Sequence, residues 1–394
     1  PYPVQRAPSI HFEGAFCIDS RLNLNYTPKM ITGVKFNFAK KLVFSFVAIF
    51  TILISMPYSA AHAGDELLAG DRGTFKPQGV TSPGAQIVHI GIEPTEVFGV
   101  NLADGTWRAN FYIWWRWSGD LDPSTTTYFT NNADAVISQS VKYAYTDSNG
   151  KPKPLVQANG EKYQYAYIRM GFVENYQVQR FPLDSQYLTM KIENDTYASN
   201  YLVYVFDDKH LSPEKFIPTN GWISKGIKTH TLTHHYTTDF GFIDEGAAFQ
   251  DYSHLRYSME IKREKMYFYL KLFLPLVIVL AATLAALLVR QRASMAPLAL
   301  ASTGLLTTIF SQQNYSQDLP PQAPLVLIDK IYLAILLIVI VVFLRVVLRT
   351  QKLKSGDSFD ESDLDIFMGS KSDFIFAISL FLIFGAVSAI LVIL

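Results

Sequence analysis

Residues 295–317 read MAPLALASTGLLTTIFSQQNYSQ. The segment is long enough to cross a bilayer, for which a helix needs about 20 residues. It is nevertheless wrong for a helix facing lipid. Ser302, Thr303, Thr307, Thr308, Ser311, Gln312, Gln313 and Asn314 punctuate it, and no charge appears until Asp318. Polar side chains at that depth are costly unless they face protein or water. Plainly apolar spans flank it, Tyr267 to Val289 and Pro324 to Leu348, and another, Phe374 to Leu394, follows. The expectation is therefore four helices, at about 267–289, 295–317, 324–348 and 373–394, with the second shielded from lipid by the others. A pore-lining helix is written this way. So is the central helix of a transporter or membrane-enzyme bundle.

Residues spaced alternately by four and three share one helix face. One such stripe is Ala299, Thr303, Leu306, Phe310, Gln313 and Gln317. Repeated about a symmetry axis, Leu306 and Phe310 would form a hydrophobic constriction able to close by dewetting. Thr303 and Gln313 would give polar rings on either side of it. A single polar helix encloses no pore, so this reading requires an oligomer, and closed cyclic symmetry supplies the copies economically.

Further outward, residues 30–63 read as a secretory signal. Lys35, Lys40 and Lys41 form the positive region, Leu42 to Met56 the apolar stretch, and Ala61-His62-Ala63 the small-residue cleavage site. Residues 1–29 precede Met30 and read as an upstream extension carrying the one cysteine, Cys17. One cysteine allows neither an internal disulfide nor a thiolate metal cluster. Cleavage places residues 64–265 outside a bacterial inner membrane, with residues 266–394 as the membrane domain. Four crossings return the C-terminus to the periplasmic side. Arg290 and Arg292, and a linker over 349–372 with Arg349, Lys352 and Lys354, then fall inside, in agreement with the positive-inside rule. A formal net charge of zero argues against a nucleic-acid partner.

From about Gln86 to Arg263 the chain reads as strands. Asp104-Gly105, Asn149-Gly150 and Asn159-Gly160 are hairpin signals, because such dipeptides supply the positive φ angles of tight turns. Closely spaced strands without helical periodicity predict an immunoglobulin-like β-sandwich. The one candidate helix here is Ala133 to Val141. No catalytic constellation emerges, and neither a cofactor nor a metal is expected. His234-His235 could reach a metal, but neighbours on a strand point to opposite faces.

Two stretches carry a resemblance. YQVQRFPLDSQYL, Tyr176 to Leu188, followed by KREKMYFYLKLFLP, Lys262 to Pro275, resembles the pentameric ligand-gated ion channels of the Cys-loop family. Phe181-Pro182-Leu183-Asp184 stands where that family has its Phe-Pro-Phe-Asp turn. The loop cysteines fall on Glu174 and Leu188, and bacterial members similarly lack the disulfide. Arg263, Tyr267-Phe268 and Pro275 match the family's arginine, aromatic pair and proline around the first helix. LPPQAPLVLIDK, Leu319 to Lys330, looks like the loop between its second and third helices. The resemblance covers roughly residues 85–394.

It implies a homopentamer that binds a small-molecule agonist between neighbouring β domains and conducts inorganic ions across the bilayer. It assigns Tyr112 to the complementary face of the agonist site. Asp195 and Tyr197 belong to the principal-face loop, and Tyr252, with Phe240 or Phe242, to the capping hairpin. Asp195 stands where many members carry an aromatic, which weakens the case for a quaternary amine held by cation–π contact. Asp104, Phe181, Pro182, Asp184, Arg263, Pro320 and Pro321 are implied to couple the two domains, with Asp184 and Arg263 as an ion pair. Met295, Ala296 and Pro297 replace the acidic ring of cation-conducting relatives, while Asp318 at the outer mouth favours cations. Selectivity stays open, leaning to cations. The rivals are a membrane-anchored sensor that does not conduct and a polytopic transporter.

Overall fold

The computed structural model describes residues 75–79, 82–133, 140–209, 221–238, 251–289, 295–353 and 371–393. The upstream extension, the signal segment, Phe240, Phe242, Arg290, Arg292 and linker residues 354–370 lie outside the described residues.

Eleven described strands make two sheets. One has the order β1 (Phe75–Pro77), β10 (Trp222–His235), β11 (Asp251–Arg263), β8 (Ser185–Asn194), β4 (Thr127–Phe129). The other has the order β5 (Ser140–Tyr143), β7 (Lys162–Val173), β3 (Thr106–Trp117), β2 (Gln86–Asn101), β9 (Leu202–Phe206), with β6 (Leu155–Val156) also on β7. All pairings are antiparallel except β2 with β9. Part of the candidate helix at Ala133 to Val141 is instead strand, because Ser140–Tyr143 pairs with β7. A strand's two-residue period explains the rest. On β3, Trp107, Ala109, Phe111, Ile113, Trp115 and Trp117 are buried, while Arg108 and Tyr112 point outward. Leu188, Met190 and Ile192 of β8 and Leu255, Tyr257, Met259 and Ile261 of β11 answer from the other sheet. Phe129 meets Phe111 and Phe172 across the gap at ring-centroid distances of 5.5 and 5.7 Å. Burying a side chain of this size contributes about 1.5–3 kcal/mol. The β2–β3 and β6–β7 hairpins turn on Gly105 (φ 64°) and Gly160 (φ 85°), as the Asp-Gly and Asn-Gly signals predict.

Four helices follow: α1 over Lys265–Leu288, α2 over Ala296–Ser316, α3 over Leu327–Leu353 and α4 over Lys371–Ile393. Within α1, residues Phe268–Phe273 form a wider π-helical turn. It lies just before Pro275, whose missing N–H interrupts the regular ladder. The apolar parts of α1, α3 and α4 are long and apolar enough to cross a membrane, which marks a membrane protein; α2 is not among those spans. Helix α3 begins at Leu327, after the turn containing Pro320 and Pro321, and runs to Leu353, beyond the apolar stretch that ends at Leu348. Arg349 falls within that extension, one turn after Arg345. Both reach Asp373 on α4, at 2.7 and 2.5 Å, and Arg349 also donates to the Leu287 carbonyl of α1. Helix α2 packs against α1 and α3.

Candidate functional site

Three regions bring site residues together. The first is α2. Its buried residues are Pro297, Ala301, Gly304, Thr308 and Tyr315, facing the neighbouring helices. A Cβ on Gly304 would overlap the Thr283 hydroxyl of α1, so the two backbones approach closely there. Thr308 folds its hydroxyl onto the Gly304 carbonyl at 2.8 Å, which removes a polar group from the packed face. Ala299, Thr303, Leu306, Phe310, Gln313 and Gln317 all lie on the opposite, exposed face. Leu306 is 54% exposed and Phe310 61%, so this face has no cover among the described residues. Tyr315 anchors the far end through a hydrogen bond to Asp329 of α3.

The second region joins the β domain to the helices. The loop from Tyr176 to Asp184 presents the Gln179 and Phe181 carbonyls to the backbone N–H groups of Leu327 (3.0 Å) and Ile328 (3.3 Å). Those donors belong to the first turn of α3, where a helix cannot satisfy them itself. The Phe181 ring also lies over Tyr315, at 6.5 Å between centroids. Arg263 Nε donates to Asp184 Oδ1 at 3.1 Å, and the Arg263 backbone N–H donates to the Asp184 carbonyl at 3.2 Å. Gln186 Nε2 donates to the other carboxylate oxygen at 2.6 Å. The guanidinium lies among Trp222, Phe181 and Tyr267 at 4.3, 5.0 and 5.6 Å, and its Nη2 is buried without a hydrogen-bond partner among the described residues. Asp104 is held locally by Asn101 in the β2–β3 turn. That turn reaches the loop through Glu174, whose N–H bonds the Gly105 carbonyl at 2.8 Å. Pro320 and Pro321 fall in the α2–α3 connection. Burial raises the Glu174 carboxyl above its ordinary range, against the pull of Lys191 and the Thr189 N–H.

The third region is the cluster around Glu193. The registers of β8, β11 and β10 set Glu193 opposite His254, and His234 opposite Tyr252. His234 Nδ1 and His254 Nδ1 both lie 2.6 Å from Glu193 Oε1. Tyr236 donates to Oε2 at 2.7 Å and Tyr128 at 3.4 Å. Burial by itself would raise the Glu193 carboxyl, but the bonds from His234 and His254 overcome it and pull the group down to about 2. Burial lowers His254, opposed by its bond to Glu193. Burial and the bond to Glu193 raise Tyr236 far above a free phenol. Tyr252 stands at the edge of this cluster, its ring 5.5 Å from Tyr236 and perpendicular to it. The loop of Asp195 and Tyr197 is shaped by Asn194, whose Oδ1 accepts the N–H groups of Thr196 (2.9 Å) and Tyr197 (2.6 Å). Asp195 is exposed. Tyr112 belongs to the other sheet, 41% exposed beside Tyr167 and Tyr165. Within one chain, then, Tyr252 neighbours the Glu193 cluster, while Tyr112 keeps separate company.

Glu193, His234, Tyr236, His254 and Tyr128 were not grouped by the sequence reading. The available signal was period two: Tyr252 and His254 share one face of β11, and Tyr236 follows His234 by two just past the end of β10. Pairing the faces required the register of three strands. His235, next to His234, turns away to Asp251 at 2.6 Å. Neither a scan against protein-family models nor a search of curated proteins finds a match to this chain.

Proposed function

We propose that this chain is the subunit of a homopentameric ligand-gated ion channel of a bacterial inner membrane. An immunoglobulin-like periplasmic domain binds a small agonist at subunit interfaces. Four transmembrane helices follow, and α2 lines the pore. One observation carries the reading. The stripe containing Thr303, Gln313 and Gln317 lies on the exposed face of α2, and its buried face packs on α1 and α3. A polar helix uncovered on one side, among helices apolar enough for lipid, needs an aqueous surface. Copies around an axis provide it. The agonist would act by binding the closed and open arrangements with different affinity. The backbone bonds from Gln179 and Phe181 to α3 offer a mechanical link between the domains.

Native mass spectrometry of the purified protein in mild detergents tests the assembly. Pentamers support the reading. Monomers or dimers alone, in several detergents, would leave α2 without its aqueous surface and overturn it.

A further inference from the structure

Glu193, His234 and His254 do something that an ion channel does not require. Each offers one metal-ligating atom, and the three atoms lie within 4.8 Å of one another. They come from three adjacent strands, β8, β10 and β11, so the sheet holds them in fixed relation. We propose that these residues bind a divalent transition-metal ion of the zinc class, with His234 Nδ1, His254 Nδ1 and Glu193 Oε1 as ligands.

The donor chemistry selects the ion. Two imidazole nitrogens and one carboxylate suit borderline metals such as Zn2+ and Co2+, whereas Ca2+ and Mg2+ prefer oxygen throughout. Two histidines and a glutamate leave a fourth tetrahedral position for water. Bonds of about 2.0–2.2 Å put tetrahedral donors about 3.4 Å apart. The two N···O separations here are 2.6 Å, so each imidazole nitrogen moves less than 1 Å from Oε1 to admit the ion, and the two nitrogens already lie within 4.8 Å of each other. The outer groups are in place. Tyr236 and Tyr128 hold Glu193 through Oε2, leaving Oε1 for the metal. Phe75 stacks on the His234 ring at 4.2 Å and fixes its plane. Glu193 and His254 are 1% exposed and His234 is 16% exposed, so the ion enters past His234.

One contact opposes binding. Arg256 Nε donates to His254 Nε2 at 3.3 Å. Ligation through Nδ1 moves the imidazole proton to Nε2, where it meets that donor. The guanidinium charge also repels the ion. Arg256→Gln removes the charge and supplies an amide oxygen that can accept from Nε2–H. It should therefore tighten binding.

The test uses the full chain in detergent, stripped with a chelator. Co2+ titration followed by visible absorption should give one site per chain with a tetrahedral ligand-field spectrum that Zn2+ displaces. His234→Gln alters the least buried ligand and should weaken Zn2+ binding by at least about tenfold, as should Glu193→Gln. His235→Gln, on the other strand face, should leave it unchanged, and Arg256→Gln should strengthen it. No ligand-field spectrum from the parent chain, or binding that survives both His234→Gln and Glu193→Gln, overturns the proposal. No current is measured, so the result is independent of the channel reading.

Discussion

Arg263→Gln and Asp184→Asn should damage the protein unequally, in an order that follows from their surroundings. The two side chains are 12% and 1% exposed and their charged atoms are 3.1 Å apart. At an effective dielectric constant of about 20, unit charges at that distance attract by about 5 kcal/mol before desolvation is counted. Removing one partner from a buried pair leaves the other charge desolvated, at a cost of about 3–5 kcal/mol. Without Arg263, the Asp184 carboxylate keeps one side-chain donor, the Gln186 amide. Without Asp184, the guanidinium still faces the rings of Trp222, Phe181 and Tyr267. Cation–π attraction there is worth about 0.5–2 kcal/mol. Arg263→Gln should therefore fall in the range of about 3–5 kcal/mol, with Asp184→Asn about 1 kcal/mol less costly. The double variant should fall short of the sum by about 1–3 kcal/mol. Denaturant unfolding in micelles, read by tryptophan fluorescence, measures all three. Additivity within about 0.5 kcal/mol, or Asp184→Asn as the worse single change, refutes the reasoning.

Gly304→Ala should lower the apparent melting temperature, and Thr283→Ala should restore part of it, because the new methyl collides with the Thr283 hydroxyl; no rescue would mean the helices part instead. Burial, then Arg256 and Lys228, hold His230 below its ordinary value of 6.5. The unfolded chain takes that proton first, so stability falls as pH drops through about 6.5. His230→Gln should flatten the fall, and melts between about pH 5 and 7 that match the parent would exclude this source. Leu306→Thr should hydrate the constriction and give spontaneous current or a left-shifted agonist response; Leu305→Thr, about 100° around the helix, should do less. If only Leu305→Thr opens the channel, the lining face is rotated. Tyr252→Ala should shift the agonist response by about tenfold or more; unchanged curves for it and for Asp195→Asn place the agonist elsewhere.

Where a short-range rule applied, the sequence carried the structure. Asp104-Gly105 and Asn159-Gly160 marked hairpins because positive φ is a local demand. The exposed stripe of α2, from Ala299 to Gln317, followed from helical spacing alone. The Asp184–Arg263 contact links β8's approach to the end of β11, and it was reached through resemblance, since no periodicity joins residues so far apart. The end of α3 was misplaced because hydropathy stops at Leu348, whereas the helix runs on to Leu353 and carries Arg349 to Asp373. The candidate helix at Ala133 to Val141 failed in part because pairing to β7 overrides local propensity at Ser140–Tyr143. The Glu193 cluster was unreadable for a different reason. Its three metal-ligating residues come from three strands, and a shift of one residue in either register would send the ligands to opposite faces.

Conduction through the face of α2 is the central claim. Cys17 is the one cysteine in the sequence and stands ahead of the expected signal-cleavage site, so single cysteines placed along the helix meet no competing thiol. Purified protein in planar bilayers, under asymmetric salt, should carry agonist- or proton-evoked current with a reversal potential displaced from zero. A charged thiol reagent should block that current in Thr303→Cys and Gln313→Cys but not in Ala301→Cys, whose position packs against neighbouring helices. Absence of current under every agonist and pH tried, or equal block at Ala301 and Thr303, would contradict a pore lined by this face.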